Sequence, residues 1–382
     1  MIKKLLCLLI ILILIGCQIK GTSEIIEEEV QTTTDEEIKE KYWFTESEII
    51  TEIMSTKYNE LAVQINDFLD HNDFNGVALI AQGEEIVLLN AYGVANVEQE
   101  LPMTVTTQFQ IGSVSKPFIA ISILQLVEDG FLTLDQTIDK FFPDLERGNE
   151  ITIHQLLTHS SGLNSGDGLV NYSSFTTTDQ LIAYAFMNIH YHNEPGFVVY
   201  SNLGYDMLGV ILEKVTGMSY EDYLQRNILD IAYMKDSGLN ISGAELENLA
   251  TAYAGHITQG ETARVFHPSF GFSSGGMHST AMDLFRFSQA LYDGSLLTPE
   301  SYALMTTPFT VINGTNYGYG WFINPRNHER VISHNGDLLG WHSILLRHQE
   351  NEFTVILLTN QSGSARNINM AHSIIDMITT KN

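Results

Sequence analysis

Strand-forming segments in this chain of 382 residues fall near its two ends, with a long helical stretch between them. Residues 76–83 and 85–93 are apolar runs around a glycine turn, the pattern of a hairpin. Far downstream, residues 317–323, 331–336, 341–347 and 353–359 read as four strands in sequence. From about residue 109 to 270 the apolar spacing is mostly helical, broken by Gly and Pro. Helical spacing also covers residues 46–69 and 365–380. The pattern predicts an α+β fold: one antiparallel sheet built from both ends of the chain and flanked by N- and C-terminal helices. A mostly helical inserted subdomain lies beside it, with the site between the two parts. One domain is expected over residues 45–382, its sheet part at about 45–108 and 271–382 and its helical insertion at about 109–270.

The first sixteen residues precede this domain and read differently. Lys3 and Lys4 form a basic start, residues 5–15 are apolar, and Gly16-Cys17 follows. That is the layout of a signal peptide, too short for a comfortable permanent span. Leu14-Ile15-Gly16-Cys17 resembles the bacterial lipobox, which implies lipidation of Cys17 and a membrane-anchored protein facing the extracytoplasmic side. Cys7 and Cys17 are the only cysteines, so the domain after Cys17 has no disulfide, and cysteine nucleophiles and thiolate metal sites are excluded. The net charge is −27, much of it from Glu24, Glu27, Glu28, Glu29, Asp35, Glu36, Glu37 and Glu40. These acids make residues 17–44 a solvated tether that repels nucleic-acid phosphates and anionic headgroups. No basic, aromatic-interleaved stripe is present, so a nucleic-acid partner is not expected. Neither zinc spacing nor an internal repeat is found, and no metal or cofactor is called for.

Ser113-Val114-Ser115-Lys116 opens an apolar helical run. Residues at i and i+3 share a helix face, so Lys116 comes within reach of the Ser113 hydroxyl, a pairing that can activate an alcohol. A helix start also offers positive potential and free N–H groups where an oxyanion would form. Two further segments carry polar groups in suggestive order. Tyr200-Ser201-Asn202 follows a Pro-Gly turn and precedes an apolar helix ending near Thr216-Gly217; His334-Asn335-Gly336 ends a strand. Singly, each has a plain structural reading: Tyr200 as a core phenol, Asn202 as a helix N-cap, His334 as a half-buried strand residue.

In this order the three segments resemble the active-site triple of the penicillin-recognising serine hydrolases, Ser-x-x-Lys, Ser-Asp-Asn and Lys-Thr-Gly. The tyrosine in the second and the histidine in the third resemble the branch of class C β-lactamases, D-Ala-D-Ala carboxypeptidases, D-amino-acid peptidases and related esterases. Phe109-Gln110-Ile111-Gly112, residues 130–135, 153–163 and 275–284, and Thr359-Asn360-Gln361 also fit that family, so the likeness covers about residues 60–380.

The resemblance implies an acyl-enzyme on Ser113, with Lys116 orienting or deprotonating it. Tyr200 would pass a proton to the leaving group and activate water, which requires a nearby ammonium to favour its phenolate. Backbone N–H groups of Ser113 and Asp337 would form the oxyanion hole, Gly336 would let substrate approach the strand closely, and Asn202 would bond a substrate amide or Lys116. His334-Asn335-Gly336 departs from Lys-Thr-Gly, replacing a cation suited to a substrate carboxylate with an imidazole that is mostly neutral at pH 7.

D-Ala-D-Ala-type or other D-amino-acid peptides of the cell wall are the first expectation for substrate, small esters the second and β-lactams the third. The rival class is a surface-binding lipoprotein with little turnover. Gly271-Phe272-Ser273-Ser274-Gly275 matches Gly-x-Ser-x-Gly, yet no alternating strand–helix series surrounds it, as a nucleophile elbow requires. His159 is expected to support a turn, and His190 and His192 to lie in a solvent-exposed loop.

Overall fold

The computed structural model describes residues 58–164, 180, 193–239, 243–263, 271–326, 329–361 and 363–379. Cys17, the acidic tether, the first part of the helix expected over 46–69, and His190 and His192 lie outside them.

Among the described residues the main sheet has eight strands: β1 (Gly76–Gln82), β2 (Glu85–Tyr92), β3 (Thr310–Ile312), β4 (Thr315–Tyr317), β5 (Phe322–Arg326), β6 (Glu329–Leu338), β7 (Trp341–His348) and β8 (Phe353–Thr359). Their order is β2-β1-β8-β7-β6-β5-β4-β3, and all pairings are antiparallel. The downstream strands form a simple meander. The early hairpin docks onto the last strand, with Gly76 opposite Thr359 and Gln82 opposite Phe353.

β1, β7 and β8 are almost wholly buried because both faces of the sheet are covered. The side-chain period of two sends alternate residues to separate cores. Val77, Leu79, Ile356 and Leu358 join the core shared with the helical part. Ala78, Ile80, Val355 and Leu357 join a second core under α1 (Asn59–His71) and a C-terminal helix, Ser364–Thr379. That helix presents Ala371, Ile374, Ile375 and Ile378 to the sheet, the stripe anticipated from its spacing.

The remaining helices used below are α2 (Lys116–Glu128), α3 (Ile153–Leu157), α4 (Asn202–Thr216) and α5 (Phe272–Gly275). The one strand expected over 317–323 is two, β4 and β5. The intervening turn is closed by Gly318 N–H donating to the Trp321 carbonyl at 2.9 Å. Gly320 there has φ of 77° and lies so close to Pro117 that a Cβ would come within 3.0 Å of its backbone. The break in the strand is the turn that lets this segment press on the start of α2.

Candidate active site

α2 runs through the interior, and nearly all its residues are buried, which fixes its first turn firmly. Ahead of it, residues 112–115 form a single 3-10 turn. Gly112 takes φ of 52°, and Ser115 Oγ donates to the Gly112 carbonyl at 2.7 Å, locking the turn. Ser113 sits half-buried on this turn while Lys116 is fully buried. Lys116 Nζ lies 3.1 Å from Ser113 Oγ, 2.6 Å from Asn202 Oδ1 and 2.9 Å from the Ser274 carbonyl oxygen. The last two can only accept. An amine with two N–H groups satisfies both and still points its lone pair at the Ser113 hydroxyl, whereas an ammonium gives that hydroxyl its third proton. The same geometry therefore serves both protonation states of Lys116.

Asn202 is not the cap of α4. Ser201 is: its Oγ accepts the Gly204 N–H at 3.0 Å and donates to the Asn164 carbonyl at 2.7 Å. The Asn202 amide is thereby released to meet Lys116. Ser201 N–H in turn donates to His159 Nδ1 at 2.9 Å, and Val199 N–H to the His159 carbonyl at 2.8 Å. The His159 ring stacks on Tyr200, centroids 4.3 Å apart. His159 holds φ of 57°, an uncommon value for a residue with a Cβ, so it supports a turn as expected and also clamps the second motif.

Two tyrosines approach Lys116. Its Nζ is 4.8 Å from the ring centre of Tyr200 and 5.5 Å from that of Tyr205. Tyr205 is fully buried, donates to the Leu157 carbonyl at 2.7 Å, and is pushed far up by burial, so it stays a phenol. Tyr317 is buried and raised in the same way. Tyr200 is half-buried and lies on the same side as Ser113, Lys116 and Asn202.

His334 is 1% exposed. Its Nδ1 lies 2.8 Å from the Asn335 carbonyl and so must donate, which leaves Nε2 to accept from the Tyr317 hydroxyl at 3.3 Å. Burial first, and the Lys116 charge second, lower its pKa to about 3. His159 is lowered by the same two causes, burial first. Both imidazoles are neutral across the physiological range. Among the described residues the third motif thus supplies no cation at His334, where the family pattern has lysine.

Gly336 is needed for a different reason than the one expected. It is buried opposite Ser343, and a Cβ there would overlap the Ile111 carbonyl oxygen, which accepts from Ser343 Oγ at 2.7 Å. The missing side chain lets β6 lie against the turn that carries Ser113. The Asp337 amide nitrogen follows immediately, 3.1 Å from where a Gly112 Cβ would be, so it lies against the residue that directly precedes Ser113. The Asp337 carboxylate is more than half exposed and pairs with His342 Nδ1 at 3.0 Å.

Ser113, Lys116, Tyr200, Asn202, His334, Gly336 and Asp337 are thus brought together from three distant segments. Sequence reasoning missed the Ser274 carbonyl, Tyr205, Tyr317 and Asp206. The first lies in the Gly-x-Ser-x-Gly look-alike, which is a buried short helix, α5, whose backbone and not its hydroxyls faces Lys116. Asp206 was signalled by its spacing, one turn beyond Asn202 on α4.

A family model described as beta-lactamase matches residues 62–376. The chain is 30% identical over 314 residues to a penicillin-binding protein of Bacillus subtilis (strain 168), spanning 76% of this chain and 69% of that one. Its fold matches D-amino acid amidase from Ochrobactrum anthropi SV3, complexed with D-phenylalanine, with a TM-score of 0.75 and 26% identity, over 86% of this chain and 100% of that one. It matches the penicillin binding protein from Bacillus halodurans with a TM-score of 0.73 and 25% identity, over 81% of this chain and 98% of that one. With a serine, a buried lysine and a tyrosine gathered at the start of one helix, and a family match over most of its length, the chain belongs to the β-lactamase family of serine hydrolases.

Proposed function

We propose that this protein cleaves amide bonds in D-amino-acid peptides or amides, including peptidoglycan-derived ones, through an acyl-enzyme on Ser113. The observation that carries the reading is the contact of Lys116 Nζ with Ser113 Oγ at 3.1 Å, held from behind by Asn202 and the Ser274 carbonyl. Lys116 takes or shares the Ser113 proton as Oγ forms a bond to the substrate carbonyl carbon. The carbonyl oxygen becomes an oxyanion received by the Ser113 and Asp337 N–H groups. Collapse expels the amine, which takes a proton through Tyr200. The same residue then removes a proton from the water that hydrolyses the ester.

The similarity to a D-amino acid amidase and to penicillin-binding proteins supports the D-amino-acid class. The neutral His334 narrows it further: with its pKa at about 3 it offers no charge to a substrate carboxylate. Acyl donors without a free carboxylate at that position, amides and small esters among them, are favoured over β-lactams and over peptides whose departing D-residue ends in a free carboxylate. Labelling of the purified protein with a fluorophosphonate probe tests the nucleophile. Wild type should label stoichiometrically and Ser113→Ala should not; labelling that survives the substitution overturns the assignment.

The likeness of Leu14-Ile15-Gly16-Cys17 to a lipobox supports lipid anchoring at Cys17, which would put this activity at the extracytoplasmic face of a membrane. No helix among the described residues is long and apolar enough to cross a membrane. Cys17→Ser should move the protein from the membrane fraction to the soluble fraction on cell fractionation. Continued membrane partition of the variant rules the anchor out.

A further inference from the structure

Asn202, Asp206 and Gly209 lie at i, i+4 and i+7 of α4 and form one stripe. That stripe faces α5. At Gly209 a Cβ would come within 2.6 Å of the Phe272 ring and would overlap Ser273, so the absent side chain lets the two helices touch. At Asp206, Oδ1 accepts the Ser274 N–H at 2.9 Å. At Asn202, Oδ1 accepts from Lys116. The Ser274 carbonyl also accepts from Lys116. The backbone of Ser274, through its N–H on one side and its carbonyl on the other, therefore stands between a carboxyl group and the lysine beside Ser113, with α5 seated against the helix that carries both Asn202 and Asp206.

The groups facing Lys116 explain why a carboxyl matters there. His159, from the loop after α3, and His334, from β6, are neutral. Tyr205 on α4 and Tyr317 on β4 are held as phenols by burial. The Tyr200 ring centre lies 4.8 Å from Lys116 Nζ. Among the described residues, Lys116 is the cation whose charge acts on Asp206. An ammonium taken out of water needs an opposite charge near it, and Asp206 is the carboxyl that the fold supplies.

We propose that Asp206 is a positioning residue for the Ser113–Lys116 pair: acting through Ser274, its carboxylate is the counter-charge that sets how readily the site gives up a proton. The inference rests on Ser113 and Lys116 being the reacting pair. Burial raises the Asp206 pKa to about 7, against hydrogen bonds from Ser274 and the Lys116 charge, which lower it. With Asp206 ionised, the proton on Lys116 is held more tightly. With Asp206 neutral, a nearby negative charge is gone and every proton acceptor at the site, Lys116 amine or Tyr200 phenolate, has a lower pKa.

Asp206→Asn tests this, because the amide oxygen still accepts the Ser274 N–H while the charge is removed. The readout is the rate of fluorophosphonate labelling of Ser113 from pH 5 to 9, which needs no natural substrate. The acidic limb of the variant's profile should move down by about half a pH unit or more where Asp206 of wild type is ionised, above about pH 7, so that on that part of the limb the rate relative to plateau rises about threefold. Superimposable profiles overturn the proposal while leaving Ser113-dependent labelling of wild type intact. Absence of that labelling in wild type instead overturns the underlying reading, and the proposal with it. Should Asp206→Asn not fold, carboxyl carbon-13 titration of the unsubstituted protein decides: a midpoint near 7 that shifts on Lys116→Ala supports the pair, and a midpoint in the ordinary aspartate range refutes it.

Discussion

Tyr200→Phe protein given an activated D-amino-acid ester should halt with Ser113 acylated. The phenyl ring keeps its stacking on His159, 4.3 Å away, so the motif stays in place. The loss is confined to the hydroxyl proposed to protonate the leaving group and activate water. General acid–base groups contribute about a hundred- to ten-thousand-fold, and deacylation should fall within that range. Acylation of a good ester suffers less, since its leaving group needs little help. Intact-mass spectrometry during turnover should show the acyl adduct on most molecules. Unchanged turnover with no adduct would remove Tyr200 from the proton path and leave its role to Lys116 alone.

Gly336→Ala should damage both stability and reactivity. The new methyl group meets the Ile111 carbonyl and Ser343 Oγ, a bonded pair on backbone that has little room to move. Overpacking of this kind costs about 1–3 kcal/mol and occasionally more. Contact with backbone puts this case at the upper end, a fall in Tm of roughly 5 °C or more. Ile111 directly precedes the turn bearing Ser113, and a displacement of about 1 Å at a reacting group can cost about a hundredfold in rate. Thermal unfolding and fluorophosphonate labelling should therefore decline together. A variant with the melting temperature and labelling rate of wild type would show that β6 does not need this close approach.

Most of the sheet was legible because β1, β2, β6, β7 and β8 are apolar runs at the two ends of the chain, whereas the three-residue β3 was not expected; the second motif was legible because Pro195-Gly196 marks the turn before it. The break inside 317–323 was hidden, since Gly320 answers to Pro117 at the start of α2, far away in sequence, and Gly318 to the Met305 and Thr307 carbonyls. The three motifs carried chemistry that their order made recognisable. What was not readable is what turns them toward each other. Asn202 reads as a cap from its neighbours alone, and only the folded chain shows Ser201 taking that place. Ser274 contributes a carbonyl, a group every residue has, so no side-chain pattern announces it. His334 reads as a titrating imidazole until burial beside Lys116 is known.

The docking of the hairpin onto β8 also dictates an order of events in the life of the chain. Gly76 pairs with Thr359, and Asn75 with Asn360, whose amide reaches the Val94, Ala95 and Thr251 carbonyls. The first strands made thus pair with each other, but β1 waits for the last strand before its other edge has a partner. Closing so long a loop is slow, and an unpaired hairpin edge is sticky while it waits. Any product of synthesis or proteolysis that stops short of β8 lacks the centre of its sheet, and Ser113 gains its surroundings only once the whole domain has emerged.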